Sequence, residues 1–286
     1  MEDIKVIVNP YNFNNKLITE NDIYEILTKY GIQDKINGIS LYQLAFVHSS
    51  YSKKLPDDIG ENVVIANKPE GALELMDADY ERLEFLGDSV VSIVVAKYLY
   101  ERFPDENEGF LTKMRTKLVN GEMLGFLAAK LNFGKFAIMS RHIEDKCKGR
   151  TSQHILEDMF EAFVGAMFLD FNEIDNYNLL DKFYSGIGYQ ICEKFIVNVI
   201  EEHVDFSELI LKNNNYREQL NRYFSETYGC PIKFTEPEVD GGLNDKLYTV
   251  SVLDDKDICI GTGVGKSKKK AEQYACKDTL KNLKLV

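Results

Sequence analysis

Residues 79–103 carry Leu83, Phe85, Leu86, Val90, Val91, Ile93, Val94, Val95 and Leu99 before Pro104. That load predicts a helix apolar on most of its circumference and therefore buried, ended by the proline. Yet the same stretch, "ERLEFLGDSV", holds Glu81, Glu84 and Asp88 at i, i+3 and i+7. At 3.6 residues per turn these acids form one line along the helix. Farther on, "HILEDMFEAFVGAMFLD" repeats the pattern, with Asp158 and Glu161 set among Met159, Phe160, Phe163 and Val164. Unpaired buried charges cost several kcal/mol each, and like charges raise one another's pKa. Pairing with Arg82, Lys113, Arg115 or Lys117 would relieve one such helix. Two matching helices point instead to a divalent cation, and carboxylate oxygens suit Mg²⁺, with Mn²⁺ as a substitute.

The 286-residue length fits one or two domains. No apolar run approaches the roughly 18–20 residues of a membrane span, so no membrane association is expected. The acidic start, "MEDIKVIVNP", does not read as a secretory signal. The five cysteines form no CxxC pair. This disfavours a zinc site and fits a reducing compartment, cytoplasmic or nuclear. The net charge of −12 excludes a general nucleic-acid coat. Its distribution is uneven. From Lys212 onward, 13 lysines and arginines face 11 aspartates and glutamates, whereas the first 211 residues hold 21 against 35. The difference in character supports two domains.

Along the chain, "TEND" from Thr19 reads as a capping box with Asp in place of Glu, opening a helix that stops near Gly31. A short helix is predicted over 41–48. Residues 52–77, with Pro56, Gly60, Pro69 and Gly71, read as a long loop or insertion. Further helices are predicted over 108–118, 121–131, 154–171 and 178–200. No strand alternation is visible before residue 230, so the first domain is expected to be all-α. After it come a helix over 216–228, three alternating segments ("IKFTEPEVD", "KLYTVSVL" and "DICIGTGVG"), and a helix over 268–283. The order is α-β-β-β-α.

The acidic segments resemble the ribonuclease III family. "YERLEFLGDSVV" is similar to its signature, with Tyr80 where Asn is commoner. "LTKMRTKLVNGEML", "ILEDMFEAFVGAMFLD" and "FVHSSYSKK" resemble its neighbouring segments. The resemblance implies that Glu84, Asp88, Asp158 and Glu161 bind catalytic Mg²⁺, with Asp88 and Glu161 closest to the chemistry and Glu81 an accessory acid. It implies in-line hydrolysis of double-stranded RNA to 5′-phosphate and 3′-hydroxyl ends. It further implies a homodimer with Phe85 at the interface, and staggered cuts leaving short 3′ overhangs. Glu157 occupies a position usually small and adds an acid beside Asp158.

"GTGVGKSKKKAEQYA" resembles the double-stranded-RNA-binding domain, whose contacts read A-form shape, 2′-hydroxyls and phosphates. The resemblance assigns RNA contact to Ser267, Lys268, Lys269 and Lys270 at a helix start, where backbone N–H groups favour phosphate. Asn221 stands where Gln is usual, and Asn244 where His is usual. The expected organisation is an extension over 1–37, an all-α ribonuclease III domain over 38–205, a linker over 206–215, and a small α+β domain over 216–286. The alternative is a catalytically silent double-stranded-RNA-binding member of the family. Loss of a metal carboxylate would mark that class, and all four are present.

Overall fold

The computed structural model describes residues 6–53, 63–172, 186–211, 216–240, 246–254 and 256–285. Residues 54–62 of the expected insertion, 178–185 of the expected helix over 178–200, linker residues 212–215, and Asn244 lie outside the described residues. The chain divides into two compact units, Met1–Phe206 and Ser207–Val286.

The first unit contains β1 (Val6–Val8), α1 (Glu20–Lys29), α2 (Ile39–Leu44), β2 (Val63–Ile65), α3 (Glu81–Arg102), α4 (Glu108–Leu118), α5 (Gly121–Lys130), α6 (Arg141–Cys147), α7 (Gln153–Phe171) and α8 (Gly186–His203). Helix α1 has the expected cap. Asp22 N donates to Thr19 Oγ1 (3.2 Å), and Thr19 N donates back to Asp22 Oδ2 (3.1 Å). Gly31, at φ +83°, ends that segment.

The domain is not wholly helical. β1 and β2 pair in parallel, Val6 opposite Val63 and Val8 opposite Ile65. Strands of three residues are too short for alternation to register in sequence, and the partner of each lies far along the chain.

Helix α7 is the axis of the unit, and almost every residue from Ile155 to Met167 is buried. Phe163 on α7 meets the rings of Tyr42, Phe46, Phe133 and Phe195 at centroid distances of 5.5, 6.1, 4.9 and 5.7 Å. Such offset and edge-on aromatic pairs add to simple area burial. At its end Asp170 is buried and fully engaged. It accepts from Asn37 N (3.0 Å), Gly38 N (2.8 Å) and Tyr42 Oη (3.1 Å). A buried carboxylate with that many donors is satisfied without a cation.

The segment ahead of residue 38 is tied into this unit rather than trailing from it. Asn12 Nδ2 donates to Glu144 Oε2 (2.6 Å), and Asn15 Nδ2 donates to Met139 O (3.0 Å). Arg150 donates to Asn15 Oδ1 (3.1 Å) and Ala137 O (2.8 Å), and its Nε pairs with Glu144 (2.9 Å). This polar web holds the turn that leads into α7.

Helix α3 packs against α7 on one side only. Phe85 is 80 % exposed, Ile93 57 % and Tyr100 72 %. With 100° per residue these three lie within one quadrant of the helix, next to the line of acids. The expectation of a buried helix is therefore corrected. An apolar count around a helix does not separate core from a face left uncovered.

Helix α9 (Phe206–Leu211) forms within the stretch expected to be a linker. Its first residue is anchored, with Phe206 against Tyr98 and Phe103, and the Arg102 guanidinium 4.3 Å above its ring.

The second unit holds α10 (Tyr216–Tyr228), β3 (Lys233–Phe234), β4 (Glu238–Asp240), β5 (Leu247–Leu253), β6 (Cys259–Gly265) and α11 (Lys268–Asn282). The first expected strand is split in two, and β3 and β4 both pair antiparallel with the same edge of β5. Pro237 lies between them and has no N–H to continue the ladder. β6 pairs with the other edge of β5. Helix α11 lies flat on β6 because Gly261 and Gly263 leave room. A Cβ at Gly263 would sit 2.1 Å from Ala275 N.

Candidate active site

The acids are brought together by a crossing of α3 over α7 so close that it requires glycine on both helices. A Cβ on Gly87 would lie 1.8 Å from the Glu161 carbonyl oxygen, and one on Gly165 would lie 2.3 Å from the Leu83 carbonyl oxygen. Backbone thus packs on backbone. Glu84 and Asp88, on either side of Gly87, face Asp158 and Glu161 across the seam closely enough for their charges to interact, although these four do not bring three ligand atoms within 4.8 Å of one another. The two glycines lie 78 positions apart in sequence, so no local signal pairs them.

Burial is uneven. Asp158 and Glu161 are each 8 % exposed, Glu84 is half-buried, and Glu81 and Asp88 are exposed. The expectation that all five lie in an apolar interior holds only for the α7 pair, because α7 is central and α3 is covered on one side. The charges are nonetheless coupled. Burial, then Asp158 and Glu81, push the Glu84 carboxyl up to about 7. Burial, then Asp88, Glu157, Glu84 and Asp158, push Glu161 up to about 8. Among the described residues, Glu84, Asp88 and Glu161 form no ion pair with a lysine or arginine. Among the described residues, the relief by Arg82, Lys113 or Arg115 that sequence alone left open does not occur.

Asp158 has two polar neighbours that sequence reasoning did not assign. Tyr80 Oη donates to its Oδ2 at 3.0 Å, and His154 Nδ1 lies 3.2 Å from its Oδ1. Burial raises the Asp158 carboxyl, opposed by His154, the Tyr80 hydrogen bond and His48. Glu157 stands one step outward, 3.5 Å from His154 Nδ1 and in the space that a Cβ on Gly121 would fill. One ligand atom from each of His154, Glu157 and Asp158 can gather within 4.8 Å of the others, a spacing open to a cation.

Behind Tyr80 lies His48, ring centroids 5.9 Å apart and edge-on. The Ser50 backbone N–H donates to His48 Nδ1 (3.0 Å), which leaves the proton of the neutral ring on Nε2. Burial lowers the His48 pKa.

Two known domains cover most of this architecture. Residues 81–172 match the ribonuclease III domain, and residues 216–283 match the double-stranded RNA binding motif. Ribonuclease 3 of Staphylococcus aureus (strain Mu3) is 32 % identical over 248 residues, covering 87 % of each chain. The chain belongs to the ribonuclease III family. It is an endoribonuclease of double-stranded RNA, and nucleases of this family depend on metal ions. A probable ribonuclease 3 of Acanthamoeba polyphaga mimivirus is 35 % identical over 216 residues, which is 74 % of this chain and 36 % of that protein. The chain thus spans about a third of the viral relative. The nuclease domain of ribonuclease III from Campylobacter jejuni superposes with a TM-score of 0.46 at 27 % identity, over 64 % of this chain and 97 % of that one.

The RNA-binding domain places its candidate residues as follows. Ser267 caps α11, accepting from Lys270 N (3.3 Å), and Lys268, Lys269 and Lys270 are exposed on the first turn. Asn221 is half-buried, and its Oδ1 accepts from Ile232 N (3.3 Å), so its carbonyl end steadies the turn before β3. Glu272 of the lysine motif also faces inward, paired with Arg217 at 2.6 Å. No helix among the described residues is long and apolar enough to cross a membrane.

Proposed function

We propose that the enzyme hydrolyses double-stranded RNA with Mg²⁺ held by Glu84, Asp88, Asp158 and Glu161, leaving 5′-phosphate and 3′-hydroxyl ends. The observation that carries this reading is the electrostatic coupling of Glu84, Asp88, Asp158 and Glu161 across the α3–α7 seam. Among the described residues no lysine or arginine pairs with Glu84, Asp88 or Glu161, and the one cationic group beside Asp158 is the titratable His154. The donor set fits the ion, being all oxygen, hard and anionic. When bound, the ion polarises the scissile phosphate and lowers the pKa of a bound water. Asp158 and Glu161, fixed on the central helix, supply rigid ligands. Glu84 and Asp88 close the site from α3, and exposed Asp88 is on the side open to RNA. Glu81, one turn earlier and exposed, is an accessory acid at the rim. Ser267 and Lys268–Lys270 add phosphate contacts that do not depend on base sequence.

The enzyme works as a homodimer through α3. Phe85, Ile93 and Tyr100 form an apolar stripe beside the acid line, and burying one such side chain contributes about 1.5–3 kcal/mol. A partner seated there sets two acidic centres along one duplex, which staggers the cuts.

The test is cleavage of an end-labelled RNA duplex in Mg²⁺, Mn²⁺, Ca²⁺ or EDTA by the native chain, Asp88→Asn and Glu161→Ala. Native protein is expected to cut in Mg²⁺ and Mn²⁺, and to bind without cutting in Ca²⁺. Both variants are expected to bind without cutting. Native protein that binds duplex in Mg²⁺ and leaves it intact refutes the proposal.

A further inference from the structure

We infer that Tyr80 is a positioning residue for the catalytic metal: its hydroxyl holds one oxygen of Asp158 so that the other is committed to the ion. The inference rests on the metal assignment proposed above. Tyr80 is 3 % exposed and held from several directions. Its backbone N–H donates to Val47 O (2.9 Å), and its carbonyl accepts from Leu83 N and Glu84 N (2.9 Å each) at the start of α3. Its ring packs edge-on against His48. His48 in turn is steadied by Ser50, whose Oγ lies 2.9 Å from His48 Nδ1 and accepts from Ser140 N (3.0 Å). The phenol is therefore a rigid donor reaching from the start of one acid-bearing helix to an acid on the other.

The consequence lies in how Asp158 can ligate. A free carboxylate rotates and can chelate through both oxygens. With Oδ2 engaged by Tyr80 at 3.0 Å from the buried side, Oδ1 is left for a cation. Its neighbours there are the Glu157 carboxylate, itself a possible further ligand, and His154, whose side chain is 81 % exposed and can swing away. One oxygen per carboxylate suits an ion that keeps several waters and demands octahedral geometry. Hydrogen bonds that orient a metal ligand in this way typically alter metal affinity by 10–100-fold. The hydrogen bond also gives a physical role to a residue at which this sequence departs from the usual Asn of the signature.

The experiment uses the full chain free of metal and RNA. Mn²⁺ alone is titrated and the free ion counted by electron paramagnetic resonance, for native protein, Tyr80→Phe and Tyr80→Asn. Tyr80→Phe removes only the hydroxyl. Tyr80→Asn retains a donor too short to reach Asp158 and provides a second reading should the phenylalanine variant be unstable. Both are expected to bind Mn²⁺ about tenfold more weakly. The Mg²⁺ concentration giving half-maximal cleavage should rise in step, kcat at saturating Mg²⁺ should largely recover, and duplex affinity in Ca²⁺ should stay unchanged. Unchanged Mn²⁺ affinity and Mg²⁺ dependence in the variants, with only a lower melting temperature, would make the tyrosine a structural residue and overturn the inference alone. Native protein that binds no Mn²⁺ overturns both this inference and the metal assignment on which it rests.

Discussion

Replacing Glu161 with Gln should abolish cleavage and yet make the metal-free protein more stable, by an amount that depends on pH. The Glu161 carboxyl is raised from its ordinary 4.5 to about 8, by burial first and then by Asp88 and its acidic neighbours. Between those values the folded protein holds a proton that the unfolded chain has released. Stability therefore falls as pH climbs from about 4.5 to about 8 and levels off above it. At about 1.36 kcal/mol per pH unit, the gap sets a ceiling of about 5 kcal/mol. The realised cost lies below that ceiling, because the shift is shared with Asp88, Glu157, Glu84 and Asp158 and the open rim of the site screens part of it. Gln keeps the shape and cannot ionise, so the variant escapes the loss. For a unit of this size each kcal/mol moves the melting temperature by roughly 2–4 °C. In EDTA at pH 8.5, Glu161→Gln should melt several degrees above native protein, and by at most about 20 °C. At pH 5 the two should nearly coincide. Scanning calorimetry of both proteins from pH 5 to 9 reads the difference directly. Mg²⁺ at pH 8.5 should narrow it by stabilising the native protein alone. Melting curves of the two proteins that run parallel across the whole range would refute the reasoning, because the acid would then carry no unrelieved cost.

Gly87→Ala puts a methyl 1.8 Å from the Glu161 carbonyl oxygen. It should cost at least about 1–3 kcal/mol in denaturant melts, as overpacking does, and should weaken Mn²⁺ binding by spreading the seam. Phe85→Arg should leave secondary structure intact by circular dichroism while shifting sedimentation toward monomer and removing cleavage. A dimer that persists would place the interface elsewhere. Replacing Lys268, Lys269 and Lys270 by Ala should weaken duplex binding across all sequences. It should also lower the salt slope of log K by roughly 1 for each phosphate no longer neutralised, read from filter binding in Ca²⁺ at several salt concentrations.

The acidic helices were legible because helical spacing and side-chain chemistry are both local properties of the chain. Thr19 and Asp22 formed the capping box that their spacing implied, and the bounds of α4 and α10 could be read from periodicity and Pro/Gly punctuation. What escaped reading depends on distant pairing. Gly87 and Gly165 look like ordinary helical glycines until the two helices cross. β1 and β2 are too short to alternate, and each exists because the other is there. The exposure of Phe85 could not be read from the helix pattern itself, although the family resemblance implied an interface there. Apolar residues around a helix look alike whether they face a core or an uncovered surface. Tyr80 was visible as a departure from the signature, but its use depends on Asp158, which only the fold brings within reach. The polar segment around Asn12 and Asn15 carried no recognisable pattern, and its bonds to Glu144 and Arg150 show a built part of the nuclease unit.

The seam at Gly87 and Gly165 acts as a ruler made of main chain. The span between the acidic halves is measured from carbonyl to Cα, with no side chain as a spacer. The leucines, valines and phenylalanines around it can exchange for one another by volume while the acids keep their places. Two hydrogen atoms, one on each glycine, hold the tolerance of the catalytic gap. A sequence can drift widely over the rest of these helices and still hold the acid-bearing turns of α3 and α7 at the same separation.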